Sequence, residues 1–388
     1  MIFTLEALEA KHGDSLLLHY GTKKSPQLIV IDGGPQGVYN KSLRPRLEEL
    51  RDKRAPGGSL PVRLLMVSHI DDDHIRGVLD LTDALIEQKE TETPLCDITT
   101  IWLNSFDEIL GNKETGAIAA SLGSSVKLSA AGELIFPPGL FRDEGAAAIA
   151  ANVPQGRRLR DNIEPLSLRN DPFEDLVCLR PKDKKALDVG GSLKFRVVGP
   201  TKTRLEGLEA EWDKKLKELK KKKPAEAKAL AASFMDESVY NLSSIVVVAE
   251  SGGKRMLLTG DGLGDDILEG LREAKLLKAG GTLHVDVLKM PHHGSIRNVN
   301  EEFISTVTAD HYVMSANGKY DNPDLDTLKL LSKVRGGAPC TFHLTNPVPH
   351  AVKFFKTDQK KAGKKYKVNI RPDAAPSIRI DLGDPFKD

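Results

Sequence analysis

The chain has 388 residues, of which 40% are hydrophobic and 29% are charged, and its formal net charge is +1. This balance is typical of a globular protein and gives no overall positive field that would attract nucleic acid. No apolar run approaches the length of a membrane span, and the N-terminus lacks the apolar core of a signal peptide. The three cysteines (Cys96, Cys178 and Cys340) show no paired spacing, so we expect a reduced, cytoplasmic protein without disulfides.

Three strands are predicted at the N-terminal end, over residues 2–8, 15–20 and 27–31. The loop between the first two contains Gly13-Asp14-Ser15, and the third strand ends in Asp32-Gly33-Gly34. Glycine after aspartate permits a sharp backbone turn at a strand end. Taken alone, Asp-Gly-Gly therefore indicates a turn and nothing more. His12 and His19 are interpreted as a loop histidine and a strand histidine rather than as ligands.

The chemically richest stretch follows a basic amphipathic helix predicted over 43–54 and an apolar strand over 64–67. It contains His69, Asp71, Asp73 and His74 in a loop that leads to a helix predicted over 76–89. Neutral imidazole and carboxylate together suit a divalent transition metal. Aspartates that cap free helix amides are the alternative. One aspartate would satisfy that role, however, and crowded carboxylates repel one another unless a cation lies between them.

A second group of polar residues follows two later strands. A strand over 245–249 and a Gly252-Gly253 hairpin turn lead to a strand that ends in Thr259-Gly260-Asp261. The strand predicted over 283–288 is followed by His292 and His293 within Pro-His-His-Gly-Ser. An aspartate just past an apolar strand is well placed to bridge two metal ions, although a turn aspartate is the simpler alternative.

These motifs resemble those of the metallo-β-lactamase superfamily. His69-x-Asp71-x-Asp73-His74 is similar to its second motif, with Asp71 in place of a histidine, as in the branch of the DNA-uptake protein ComEC. Five motifs follow one another in family order over residues 12–323. The resemblance implies an α/β fold, specifically a four-layered αββα sandwich with the metals at one edge. In the family, the residue corresponding to Asp32 orients the metal loop.

The resemblance also implies two divalent ions, Zn²⁺ or Mn²⁺, that share Asp261. One would be held by His69, Asp71 and Asp261, and the other by Asp73, His74, Asp261 and a histidine of the His292-His293 pair. His293 is favoured for that last position, and His292 remains the alternative. The catalytic candidates are Asp73, Asp261, Tyr320 and Asn322. The substrate-binding candidates are Lys289, Ser295 and Lys319.

The chain also departs from the family pattern. Asn241 and Ser244 stand where the third-motif histidine is expected, so the first metal should bind more weakly. Asn322 replaces the histidine of a Gly-His-Pro element, which leaves the proton donor to the leaving group open. The resemblance does not cover 105–190 or 203–232. We therefore expect one domain over residues 1–388 with an insertion at 105–190 and a helical insertion at 203–232.

The resulting hypothesis is a phosphodiesterase or nuclease in which a hydroxide between two metals attacks phosphorus. The substrate would be DNA, RNA, a cyclic nucleotide or a phosphorylated small molecule. Contacts with nucleic acid would require local basic groups such as the Lys220–Lys223 run, which is otherwise a solvated face. Two alternatives remain: an esterase or lactonase with the same metal centre, and a non-catalytic metal-binding component that docks protein partners through the insertions.

Overall fold

The computed structural model describes residues 1–89, 93–105, 155–173, 176–180, 185–208 and 243–386, together with Ile109, Lys214 and two short strands between 127 and 135. Much of the predicted insertion at 105–190 and most of 203–232 therefore lie outside the described residues. Asn241 and the Lys220–Lys223 run lie outside them as well.

The strands, in chain order, are β1 (Ile2–Leu8), β2 (Leu16–Thr22), β3 (Ser25–Ile31), β4 (Leu60–Val62), β5 (Leu64–Met66), β6 (Cys96–Ile98), β7 (Ile101–Trp102), β8 (Lys127–Leu128), β9 (Leu134–Ile135), β10 (Leu187–Gly190), β11 (Leu193–Gly199), β12 (Val246–Ser251), β13 (Lys254–Leu258), β14 (Leu283–Lys289), β15 (Val307–Met314), β16 (Thr341–Leu344), β17 (Lys367–Ile370) and β18 (Ser377–Asp381). The helices are α1 (Arg44–Arg54), α2 (Asp72–Lys89), α3 (155–163), α4 (202–208), α5 (Gly264–Glu273), α6 (Glu301–Thr306), α7 (Leu325–Arg335) and α8 (Pro349–Asp358).

Two large sheets organise the described part of the chain. The first has the strand order β18-β1-β2-β3-β5-β7, and the second has the order β10-β11-β12-β13-β14-β15-β16-β17. Each sheet changes from antiparallel to parallel pairing partway across: at β3–β5 in the first and at β13–β14 in the second. The predicted α/β class is confirmed, including the hairpin turn at Gly252-Gly253 between β12 and β13.

Alternation along the strands explains how the layers pack, because successive strand residues point to opposite faces. In β3, Ile29 belongs to a core between the two sheets, together with Met256 and Leu258 of the second sheet. Its neighbour Val30 faces the other way, into a core shared with α1 and α2. A third core lies between the second sheet and its own helices. The two sheets therefore pack face to face, with helices on their outer surfaces.

Helix α2 begins earlier than the sequence predicted. It starts at Asp72 rather than at 76, so Asp73 and His74 lie in its first turn and not in a loop. Carboxylates in a first turn interact favourably with the positive end of the helix dipole, which explains the earlier start. The apolar side chains of Ile75 and Val78 are buried against the first sheet. Because this packing fixes the helix, it also fixes the direction in which His74 points.

Other boundaries differ more modestly. The single strand predicted over 98–103 is two short strands, β6 and β7, which pair with different sheets. The three cysteines are buried and free of disulfides, as the sequence predicted. Among the described helices, none combines the length and the apolar composition that crossing a membrane would require.

Candidate metal centre

The predicted ligands lie at one edge of the two sheets. His69 and Asp71 follow β5, Asp261 follows β13, and His292 and His293 follow β14. β5 is parallel to β3, and β14 is parallel to β13, so the residues after these strands emerge at the same ends of the sheets. A hydrogen bond from the Ile245 amide to the Ser68 carbonyl, 2.8 Å long, joins the two sheets close to this point.

Asp32 holds the loop that carries the first ligands. Its Oδ1 accepts a 2.7 Å hydrogen bond from the Ser68 amide, and its Oδ2 lies 2.8 Å from His74 Nδ1. A carboxylate can only accept, so Nδ1 of His74 carries a proton, and Nε2 is the nitrogen that would bind a metal once its own proton is displaced. Gly33 and Gly77 allow this approach, because a Cβ on Gly77 would lie 2.0 Å from the Gly33 carbonyl oxygen.

The second predicted ligand set converges on Asp261. His74 Nε2 lies 3.3 Å from Asp261 Oδ1, and His293 Nε2 lies 3.6 Å from Asp261 Oδ2. Asp73 Oδ2 is 3.4 Å from His293 Nε2, and its Oδ1 is 3.9 Å from His74 Nε2. The two imidazole Nε2 atoms are themselves 3.3 Å apart. This geometry brings two ring nitrogens and two carboxylates to one point.

The first predicted set is looser. His69 Nε2 lies 3.4 Å from Asp71 Oδ2 and 3.8 Å from Asp261 Oδ2. His292 approaches the same carboxylate, with Nε2 3.6 Å from Asp261 Oδ2. Asn298 orients His292, since its Oδ1 is 2.8 Å from His292 Nδ1 and its amide donates to the Asp261 carbonyl oxygen. Both histidines of the pair therefore face Asp261.

Electrostatic interactions among these buried groups shift their pKa values. Burial opposes the charged form of His74, but Asp261, Asp32 and Asp73 outweigh it and hold the pKa of His74 well above its ordinary value. Burial also opposes the charged form of His293, yet Asp261 and Asp14 raise its pKa to about 9. For Asp261, burial favours the neutral acid, but the neighbouring histidines hold its pKa well below its usual range. In the metal-free protein, protons on the histidines therefore supply the positive charge that the carboxylates require.

Three observations show that this site fits a metal ion. One ligand atom from each of Asp14, His74, Asp261 and His293 lies within 4.8 Å of the others. Two buried atoms, His69 Nε2 and Asp261 Oδ1, have no hydrogen-bond partner among the described residues. His292 and His293 also adopt left-handed backbone angles, with φ of +46° and +57°. Such angles are costly for residues other than glycine and commonly accompany functional sites.

Two of the predicted substrate contacts lie elsewhere than expected. Lys289 is fully buried at the end of β14, where its Nζ contacts Asp14 Oδ2. The Lys289 ammonium therefore contacts Asp14 and not solvent, where a substrate contact was expected. Ser295 is also buried, and its hydroxyl is engaged by Asp324 Oδ2 at 3.4 Å. Asn322 is buried in a tight turn in which the Gly318 amide donates to its carbonyl oxygen.

Lys319 and Tyr320 are presented to solvent by the same turn. Lys319 Nζ lies 3.3 Å from His12 Nε2 and 4.6 Å from the centre of the Tyr320 ring. Burial lowers the pKa of His12 to about 4, so this imidazole is neutral and accepts from Lys319. The Tyr320 side chain is 59% exposed. Its backbone is left-handed, with φ of +56°.

Two residues beside the candidate ligands, Asp14 and Asn298, were not predicted as site residues from the sequence. Asp14 was noted only as part of the Gly-Asp-Ser loop, although it is buried beside His293. Asn298 was not singled out, because its contact with His292 spans six residues of an irregular loop. The Gly-Asp-Ser loop between the first two predicted strands could have drawn attention to Asp14. No sequence signal identified Asn298.

No protein-family model matches the chain. ComE operon protein 3 of Bacillus subtilis strain 168 is 30% identical over 132 residues, which are 34% of this chain and 14% of that much longer protein. The solved structures include a provisionally assigned metal-dependent hydrolase from Parabacteroides distasonis, at 9% identity and a TM-score of 0.32, with 94% of this chain and 92% of that chain covered. They also include a point mutant of the CmlA β-hydroxylase, at 10% identity and a TM-score of 0.36, with 97% of this chain and 54% of that chain covered. At TM-scores this low, the two structures support no inference about the fold or the activity of this chain.

Proposed function

We propose that the chain is a metal-dependent hydrolase with the metallo-β-lactamase fold, and that it acts on a phosphodiester. The convergence of histidine and carboxylate ligands on the buried Asp261 carries this proposal. The packing of two sheets between outer helices supports the predicted αββα arrangement. The partial sequence likeness to ComE operon protein 3 supports a ComEC-like branch. In this proposal residues 1–388 form one domain, and 105–190 and 203–232 are insertions.

Asp261 is the shared ligand of two divalent ions in this proposal. His69 and Asp71 complete one set, and Asp73, His74 and His293 complete the other. His292 faces the same carboxylate as His69 and would strengthen the first set, which lacks the family's third-motif histidine. Zinc and manganese both suit such a mixed nitrogen and oxygen shell. When bound, the ions would act as Lewis acids toward a phosphoryl oxygen and lower the pKa of water.

Lys319 and Tyr320 support an anionic substrate. The Lys319 ammonium makes no ion pair among the described residues, so its charge is available at the mouth of the site. The exposed Tyr320 ring beside it offers a surface on which a flat group attached to the phosphate could stack. This pairing of a cation with an aromatic ring favours a nucleotide over a neutral ester. Asn322 shapes the turn that presents both side chains.

The test begins with metal analysis of the purified protein, followed by hydrolysis of bis(p-nitrophenyl) phosphate and of a neutral lactone with each ion. We expect bound Zn²⁺ or Mn²⁺, diester hydrolysis that depends on it, and little lactone hydrolysis. His293→Gln should abolish the reaction, whereas His284→Gln, on the exposed face of β14, should leave it unchanged. Faster lactone hydrolysis would establish the esterase alternative. Bound metal without either activity would establish a non-catalytic role.

Single-stranded and duplex DNA then serve as polymer substrates. A nuclease should cleave at least one of them with the ion that supports diester hydrolysis. Polymer binding should also weaken as salt increases, because each phosphate contact releases counterions. Hydrolysis of the small diester with no effect on either DNA would instead indicate RNA, a cyclic nucleotide or another small phosphodiester as the substrate.

A further inference from the structure

The Asp14–Lys289 ion pair lies directly behind the candidate metal centre. Both side chains are almost fully buried, and Lys289 Nζ contacts Asp14 Oδ2. The other carboxylate oxygen, Asp14 Oδ1, faces His293 Nδ1 at 3.5 Å. His293 thus has a carboxylate at Nδ1, while its Nε2 faces Asp73 and Asp261. None of the roles assigned above explains why a lysine is buried at this point.

The loop that carries Asp14 is fixed against the metal ligands. The Asp14 amide donates to the Asp73 carbonyl oxygen at 3.2 Å. A Cβ on Gly13 would lie 1.9 Å from that same oxygen, so only glycine permits the contact. On the other side, the Ser315 hydroxyl donates to the Gly13 carbonyl oxygen at 2.6 Å. The position of Asp14 is therefore set by its backbone as well as by Lys289.

The arrangement repeats that of the other histidine of this ligand set. Asp32 accepts from His74 Nδ1 at 2.8 Å and leaves His74 Nε2 for a metal. Asp14 faces His293 Nδ1 from the corresponding side, at 3.5 Å and with Lys289 behind it. Among the described residues Asp14 Oδ1 and His293 Nδ1 have no other hydrogen-bond partner. Histidine ligands are commonly held in this way by a carboxylate on the second ring nitrogen.

We propose that Asp14 and Lys289 form a positioning pair that keeps the proton of His293 on Nδ1 and turns its Nε2 toward the metal. This inference rests on the proposed metal-dependent function. Asp14 could instead be a ligand itself, since it belongs to the close group of four ligand-type residues. Its contacts argue against that role, because Lys289 engages one oxygen and His293 Nδ1 lies against the other.

Two double variants with the same net charge test the proposal. Asp14→Asn/Lys289→Met keeps a carbonyl acceptor for the Nδ1 proton, whereas Asp14→Leu/Lys289→Met does not. Removing both charges together avoids leaving one buried charge unpaired, so both variants should fold. Zn²⁺ and Mn²⁺ affinities are measured by calorimetry, and the His293 tautomer of the zinc form by ¹⁵N NMR. Urea unfolding reports the stability of each variant.

The asparagine variant should bind metal nearly as tightly as wild type and keep the proton on His293 Nδ1. The leucine variant should lose about 10–100-fold in affinity, the usual effect of removing such a carboxylate partner. Arg46→Met is the matched control, because it breaks a different buried ion pair, the one that Arg46 of α1 makes with Glu6 of β1. It should lower the stability and leave the metal affinity unchanged.

Equal losses in both double variants would overturn the proposal by identifying Asp14 as a ligand. Equal retention in both would also overturn it, since the pair would then contribute only to stability. Failure of the proposed function has a different signature. Wild-type protein that binds neither ion would overturn the metal-dependent activity and this assignment together.

Discussion

Two buried clusters in this molecule each place histidine beside a carboxylate, but different groups supply the positive charge that the carboxylate requires. The first cluster, the Glu6 cluster, consists of Glu6, His19, Arg46, Ser377 and Arg379 on the first sheet and α1. Glu6 accepts from Arg46 at 3.0 Å, from Ser377 at 2.6 Å and from His19 at 2.7 Å. Burial favours the neutral acid, but His19 and the two arginines outweigh it and hold the pKa of Glu6 below its usual range.

In the metal-site cluster (His69, His74, Asp261, His292 and His293), the central carboxylate of Asp261 lacks such permanent cations. Asp261 faces four histidine rings, and in the described part of the chain no lysine or arginine pairs with it. Asp261 Oδ1 has no hydrogen-bond partner among the described residues, whereas both carboxylate oxygens of Glu6 accept hydrogen bonds from Arg46. We therefore interpret the Glu6 cluster, which is neutralised by the protein's own cations, as structural. The Asp261 cluster, which depends on protonated histidines, is interpreted as prepared for an external cation.

The largest expected effect comes from Asp261→Asn, which removes the shared ligand. Lewis-acid stabilisation is worth several kcal/mol, so kcat/KM for bis(p-nitrophenyl) phosphate should fall by at least about a thousandfold. Metal content measured on the same preparation should fall as well. A variant that keeps its metal and its activity would remove the distinction between the two clusters.

Glu6→Gln should act in the opposite way, on stability and not on metal. Loss of the charge leaves Arg46 buried without its main counter-ion, and breaking a buried pair costs about 3–5 kcal/mol of unfolding free energy. Urea unfolding measures this loss, and calorimetry should give an unchanged metal stoichiometry. A large change in metal affinity would show that the two clusters are coupled.

The pH dependence of metal binding sharpens the same contrast. Asp261 and Asp14 raise the pKa of His293 from 6.5 to about 9 against the effect of burial. A metal must displace that proton, so affinity should rise as the pH increases toward 9, about tenfold per unit for each proton released. In the metal-free protein the raised pKa contributes stability that is complete below pH 6.5 and lost as the pH rises through 9. Calorimetry in buffers of different ionisation enthalpy counts the protons, and a count of zero would contradict this account.

Asp73→Ala should reduce activity more than Asp71→Ala, by roughly tenfold in kcat/KM, a difference of about 1.4 kcal/mol. Asp73 lies beside two ring nitrogens, His293 Nε2 and His74 Nε2, whereas Asp71 contacts His69 in the looser set. Steady-state kinetics on the same small diester compare the two variants. Equal losses with intact folding would mean that both sets contribute equally.

The smallest effect concerns Tyr320, at the mouth of the site. Stacking of one base is worth about 1–3 kcal/mol, so Tyr320→Leu should raise KM for thymidine 5′-(p-nitrophenyl phosphate) about tenfold. KM for methyl p-nitrophenyl phosphate, which has the same leaving group and no base, should stay constant. Tyr320→Phe keeps the ring and should behave as wild type. Equal changes for both substrates would exclude stacking at this position.

Local sequence was sufficient to predict most of the described strands and helices and to group the candidate ligands. The apolar runs before Ser68 and Gly260 predicted strands that the structure contains, because a short continuous apolar run followed by turn residues indicates a buried strand. The grouping of His69, Asp71, Asp73 and His74 within six residues made a metal site predictable before any contact was known. The start of α2 was placed four residues late, since the first-turn carboxylates were interpreted as loop residues.

Tertiary structure alone decided which oxygens and nitrogens face each other. The sequence predicted Lys289, at the end of a strand, as a substrate contact. In the structure it is buried against Asp14, which lies 275 positions earlier in the chain. Asn298 and the orientation of His292 likewise depend on packing between loops that are distant in sequence. The amino-acid sequence therefore determined which chemical groups are available and on which strand ends they lie. Their pairing depended on how two separate sheets pack, which no local pattern encodes.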